Sequence, residues 1–279
     1  MYIYYKLKIM ARPRKYTLNE NYFEEIDSSN KSYILGFIYA DGSINKQKNS
    51  LTICLSEKDK DVLKFIKKEL NYSGIIKNKI INNRNYSLVN IVSKKLINDL
   101  INLGIIQNKT YLSNSLPKVP INYYNDMIRG FFDGDGSIYK DKLNQYTVCF
   151  SSNIKILKSI KEYLLSKDIE SSNIRLRNKN SSYSAMLEIR GSYKIEKFEK
   201  LIYYNKDLYS LKRKVDKFKE FNEHISNKVL KRYSKDKINS IKELYISGLT
   251  QKEIHLKLNI PYSTTRGIIQ RLRNKNEIK

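Results

Sequence analysis

Apolar residues dominate two stretches of the chain, 34–44 and 128–138, and each reads as a helix ending on an acid followed by glycine. Gly36 and Ala40 share one helical face, and so do Gly130 and Gly134, because positions four apart lie above one another. Small residues on both faces predict two helices that touch backbone to backbone. Strict alternation follows each run, at 51–56 and 146–151, which predicts half-buried strands. Leu51, Ile53 and Leu55, with Tyr146, Val148 and Phe150, are expected to face the helices. Thr52, Cys54 and Ser56, with Thr147, Cys149 and Ser151, are expected on the other side. Helical stretches at 59–70 and 154–166 come next, then strand pairs at 75–81 with 86–92 and at 174–178 with 183–190. A closing helix, 94–103 or 193–203, completes each copy. The class predicted is therefore α+β, two pseudo-symmetric αββαββα units with helices on one face of each antiparallel sheet.

If the two motif helices touch, their ends bring the carboxylates of Asp41 and Asp135 together. An acid in the last turn opposes the helix dipole by roughly 0.3–1 kcal/mol, and two like charges at one place raise a pKa or demand a cation. Accepting that penalty twice, at matching positions, points to a divalent metal site. Hard oxygen ligands favour Mg2+.

The segments 34–42 and 128–136 resemble the nonamer motif of the LAGLIDADG homing endonucleases. The resemblance places the metal-binding acid of each motif on Asp41 and Asp135, with the next residues, Gly42 and Gly136, in the same metal set. It also implies a monomer carrying two motifs, whose sheets form a saddle on double-stranded DNA, and cleavage that leaves 3′ overhangs. A basic residue near the end of the last strand is implied at the scissile phosphate: Lys94 in the first copy, Arg190 or Lys194 in the second. The first motif departs from the second at its sixth position, where Tyr39 stands in place of Asp133.

Charge agrees with a polyanionic partner. Lys and Arg number 53 against 28 acids, giving +25 and a pI near 9.7, which favours nucleic acid through counterion release; an AT-rich gene would enrich Lys, Asn, Ile and Tyr as well. Arg175 and Arg177 alternate with Ile174 and Leu176, and Lys77 and Lys79 occupy the matching strand, so one sheet face is basic. Ser43, Asn45, Gln47, Tyr139 and Lys140 on the hairpins, with Thr52 and Thr147 on the strands, are further candidates to read base edges in the major groove. Only two histidines exist, His224 and His255, both outside the repeats, which excludes a histidine-based nuclease. The two cysteines lie on corresponding strands rather than forming a framework, so a reduced, intracellular, soluble protein is expected. No apolar run approaches the roughly 20 residues of a membrane helix.

The organisation expected is a basic arm at 1–22, containing Arg12, Arg14 and Lys15 and suited to a minor groove. The units follow at 23–115 and 116–204, then a charged helical connector at 205–232 and a helix-turn-helix at 233–279. In that last module Thr250 and Glu253 form a capping box. The third helix would present Tyr262, Thr264, Thr265, Arg266 and Gln270 to the groove, with Arg271 and Arg273 for phosphates. The function expected is site-specific double-strand DNA cleavage. A DNA-binding regulator and an intron-RNA maturase on the same scaffold are the alternatives.

Overall fold

The computed structural model describes residues 15–107, 115–177, 184–274 and 277–278. The basic residues Arg12 and Arg14 and the strand ends expected at Asn178 and Tyr183 lie outside the described residues. The first unit runs α1 (Ser29–Asp41), β1 (Gly42–Asn45), β2 (Ser50–Ser56), α2 (Lys60–Glu69), β3 (Lys77–Ile81), β4 (Arg84–Val92) and α3 (Lys94–Asn102). The second repeats it as α4 (Tyr124–Asp135), β5 (Gly136–Lys140), β6 (Tyr146–Ser152), α5 (Ile154–Ser166), β7 (Arg175–Leu176), β8 (Ala185–Arg190) and α6 (Ser192–Ile202). Each sheet is fully antiparallel, in the order β1-β2-β4-β3 or β5-β6-β8-β7. The α+β class and the doubled unit stand as expected.

Local chemistry accounts for the element ends. Ser28, Ser93 and Asn153 cap α1, α3 and α5 by accepting the backbone N–H of Lys31, Leu96 and Ile156, which satisfies donors that the first turn cannot use. Asn82 and Asn83 both hold positive φ (48° and 58°) between β3 and β4, the signature of a two-residue hairpin turn with the right twist. Helix α1 is buried from Ser32 to Ala40 on every side, as its unbroken apolar run requires. Beside it, Asp126 and Arg129 on α4 form an ion pair at 2.7 Å with both side chains fully buried, the guanidinium lying 5.1 Å above the Tyr33 ring of α1. Tyr204 donates to Asp126 as well.

The second sheet departs from the expected register. Gly42 pairs with Ile53, but Gly136 pairs with Phe150, so Leu51 corresponds to Val148 and not to Tyr146. A shift of two preserves the inward and outward alternation and hence leaves no trace in the hydrophobic pattern. Cys54 therefore corresponds to Ser151, and Cys149 to Thr52; the two cysteines are not equivalent. Thr147 (4% exposed) and Cys149 (1%) are buried although they face away from the helices. They are flanked by a cluster of polar side chains, described below.

One hydrophobic core runs through both units and includes Leu211, Phe218 and Phe221. The last two project from α7 (Lys212–Arg232). A smaller core of Ile241, Ile254, Ile260, Ile268, Ile269, Leu272 and Ile278 holds α8 (Lys235–Ile246), α9 (Gln251–Leu258) and α10 (Tyr262–Asn274) together. Thr250 and Glu253 complete the expected capping box. Among the described residues no helix is long and apolar enough to cross a membrane.

Candidate metal centre and nucleic-acid interface

The motif helices cross with no room for a side chain between them. A Cβ on Gly36 would lie 2.1 Å from the carbonyl oxygen of Met127, and one on Gly130 would lie 1.9 Å from that of Tyr33. One on Gly134 would lie 2.3 Å from Ala40 Cβ and 3.2 Å from Asp41 Oδ2. Contacts thus rise together along both chains, so α1 and α4 pack in parallel and finish side by side. Asp41 and Asp135 are their last residues, both exposed, and the Asp41 carboxylate lies against the residue before Asp135. Among the described residues there is no group of three or more His, Cys, Asp or Glu suited to a metal. Two exposed carboxylates at adjoining helix ends fit a hard divalent ion whose other positions are taken by water and phosphate oxygens.

Below the acids sits chemistry that the motifs do not announce. Asp133 is fully buried and accepts hydrogen bonds from Tyr33 Oη at 2.9 Å, Tyr203 Oη at 2.6 Å and the Leu211 N–H at 2.8 Å. Burial raises its pKa while Lys214 and these donors pull the other way. The acid that breaks the symmetry of the two motifs is therefore a hub joining α1, α4 and the start of α7, whereas Tyr39 in the first motif donates to the Ser115 carbonyl. Lys214, 2% exposed, donates from Nζ to the carbonyls of Phe132 and Gly136. Gly136, expected among the metal ligands, thus has its carbonyl turned to an ammonium. Burial lowers the Lys214 pKa to about 8 against the pull of Asp133, with Asp41 and Asp135 also acting on it.

The exposed sheet faces carry the expected polar residues. In the first unit Ser43, Thr52 and Asn90 form one cross-strand row, in which Thr52 donates to Asn90 at 3.1 Å; Lys77, Lys79 and Gln47 are exposed. Asn45 caps its own hairpin by accepting from the Lys48 N–H. In the second unit Glu188, at the position of Asn90, is 2% exposed and gathers three groups. Tyr139 donates to Oε1 at 3.0 Å, while Arg175 and Arg190 both reach Oε2. Thr147 sits in the cross-strand row between Tyr139 and Arg190, and Cys149 in the row beside Glu188, so the cluster flanks both buried residues. Arg177 donates to Ser151, and Lys140 lies over the Tyr146 ring. Lys94 is exposed at the start of α3. Lys194 pairs with Glu170 at 2.6 Å, tying α6 to the loop before β7.

The third helix of the tail is docked against the second unit. Arg266 donates to Tyr193 Oη at 2.7 Å and lies 4.3 Å above its ring, and Arg271 faces Glu196 at 3.5 Å. Thr265 corrects the sequence expectation: it is fully buried and turned towards the Ile260 and Pro261 carbonyls, so it cannot reach a groove. Arg273 is held by Tyr245 within the module. Tyr262 is exposed, with Thr264 and Gln270 half-buried beside it.

A family model described as a LAGLIDADG-like domain matches residues 29–103 and 122–203. An uncharacterized protein of Methanocaldococcus jannaschii is 28% identical over 130 residues, 45% of this chain and 48% of that protein, so the match spans about half of that relative's length. Among solved structures the chain is similar to the LAGLIDADG homing endonuclease I-LtrWI bound to target DNA, with 16% identity, 76% and 93% of the two chains covered and a TM-score of 0.47. Its similarity to I-GzeII in complex with a DNA target gives 18%, 81% and 96%, and 0.48. For full-length DUF199/WhiA from Thermatoga maritima the values are 16%, 93% and 97%, and 0.44.

Proposed function

The chain belongs to the LAGLIDADG-like family, and from that premise we propose that it is a site-specific DNA endonuclease that uses a divalent metal, Mg2+ in the cell, at Asp41 and Asp135. The observation that carries this reading is the convergence of two exposed carboxylates on a helix seam built from glycine. A divalent ion held there supplies an activated water and stabilises the entering and leaving oxygens of the phosphodiester. The protein supplies placement. Duplex DNA lies across the two sheet faces, and Arg, Lys, Ser, Thr and Asn side chains meet its phosphates and base edges. Lys94 and Arg190, near the ends of the last strands, are the basic residues that would meet the scissile phosphate. Two half-sites bound by one chain make a monomer sufficient and yield staggered 3′ ends. The tail module, with Tyr262, Thr264 and Gln270 accessible, lengthens the footprint. Incubating the purified protein with DNA of its own genomic neighbourhood, in Mg2+ and in EDTA, tests the reading. Cutting only with metal is the expected result, whereas binding without cutting under both conditions would favour the regulator or maturase alternative.

Glu188 yields a prediction of its own. Glu188→Gln removes the charge that gathers Arg175 and Arg190 without changing side-chain size. Both guanidiniums become available to phosphate, so the slope of log affinity against log salt on nonspecific duplex is expected to steepen by about 1–2. Fluorescence anisotropy over a salt series measures it, and an unchanged slope would mean that these arginines do not face the duplex.

A further inference from the structure

Residues 203–214 follow the second repeat, yet they pack across both units. Tyr209 stacks on Phe65 of α2 at 3.9 Å. Arg213 holds Asp59 of the first unit through two bonds, Nε at 2.8 Å and Nη2 at 2.9 Å. Tyr203 and the Leu211 N–H close on Asp133 of the second unit, and Lys214 fills the end of α4. Asp41 acts on both basic residues, and Asp135 acts on Lys214.

We propose that Lys214 and Arg213 are positioning residues of the catalytic centre, which brace the end of α4 and tie it to the first unit through Asp59, and which set the charge that a divalent ion meets at Asp41 and Asp135. The assignment rests on the nuclease reading above. A buried ammonium is costly, and an apolar side chain would pack against Phe132 and Phe218 with less penalty. What an ammonium adds is donors to the Gly136 carbonyl and to the Phe132 carbonyl, which also accepts the Gly136 N–H, and a positive charge beside two carboxylates and two negative helix ends. With Arg213, whose charge is shared with Asp59, it offsets part of the carboxylate charge, so the acids tolerate one another without metal. A cation then binds weakly until the phosphates of bound DNA restore the negative charge. The metal is thereby held at the moment of cleavage rather than stored.

The probe is Mn2+ alone, titrated into the full chain without DNA and followed by the free-ion electron paramagnetic resonance signal. Lys214→Met is expected to tighten binding at least tenfold, which is what removing one unit charge about 6 Å from a divalent ion gives even at the dielectric constant of water. Arg213→Gln, at a half-exposed position, is expected to tighten it roughly threefold for the same reason, screened by solvent. A lysine that merely filled space would loosen the site when replaced, so the direction of change separates the two roles. Acid-dependent Mn2+ binding that neither substitution tightens would overturn the assignment alone. No binding in any variant would likewise overturn the assignment alone, whereas binding indifferent to Asp41→Asn and Asp135→Asn would overturn the nuclease reading and the assignment with it.

Discussion

Gly130→Ala is expected to lower stability by about 3 kcal/mol, which for a chain of this size corresponds to a fall in Tm of roughly 6–12 °C. The added methyl would lie 1.9 Å from the Tyr33 carbonyl oxygen and 2.9 Å from the Phe37 nitrogen. Both are main-chain atoms of a helix buried on every side, so no rotamer change relieves the clash and the two helices must part. Parting them also breaks the Tyr33–Asp133 bond across the seam and lifts Asp41 away from Gly134. Gly267→Ala is the matching control, since its Cβ would meet only the tip of Arg271 at 3.9 Å. In mid-helix that change is expected to add about 0.5–1 kcal/mol. Thermal unfolding of the two variants against the parent measures both. Equal effects would mean that the seam is looser than the backbone contacts make it.

The seam was legible because it repeats. Gly36 with Ala40 and Gly130 with Gly134 are informative as a pair of matched faces, where either alone is an ordinary helix spacing. Acids closing both helices converted that geometry into chemistry. Strand register was not legible, because sliding β6 by two residues against β5 keeps Val148 and Phe150 inward and changes only which outward residue meets which. Glu188 read as one more strand residue; only pairing across β6 and β7 reveals that Tyr139, Arg175 and Arg190 converge on it. Lys214 was hidden by abundance. In a chain with 53 basic residues, a lysine in a charged helix reads as solvated, and its burial depends on Leu211, Phe218 and Phe221 turning that helix into the core. Thr265 misled for a related reason. A threonine early in a presumed recognition helix fits a base contact, yet at that place it also bonds carbonyls of the preceding turn, and packing chose the second.

Asp41→Asn and Asp135→Asn are each expected to reduce cleavage on the order of 10³-fold, the size of losing several kcal/mol of metal assistance in the transition state, while duplex affinity stays within a few-fold of the parent. Asparagine keeps the shape and one oxygen but neither the charge nor the second acceptor that a hard cation requires. Stability is expected to move little, with Tm within about 2 °C of the parent, because each substitution relieves repulsion between the acids and forfeits attraction to Lys214, and Asp41→Asn also that to Arg213. Those two effects oppose each other only if the four side chains share one small volume. Cleavage by gel assay, affinity by anisotropy and Tm by scanning calorimetry on the same preparations therefore test the centre as a unit. A cleavage defect that tracked a fall in Tm of many degrees would make the acids structural helix stops, and the metal would have to be sought elsewhere on the saddle.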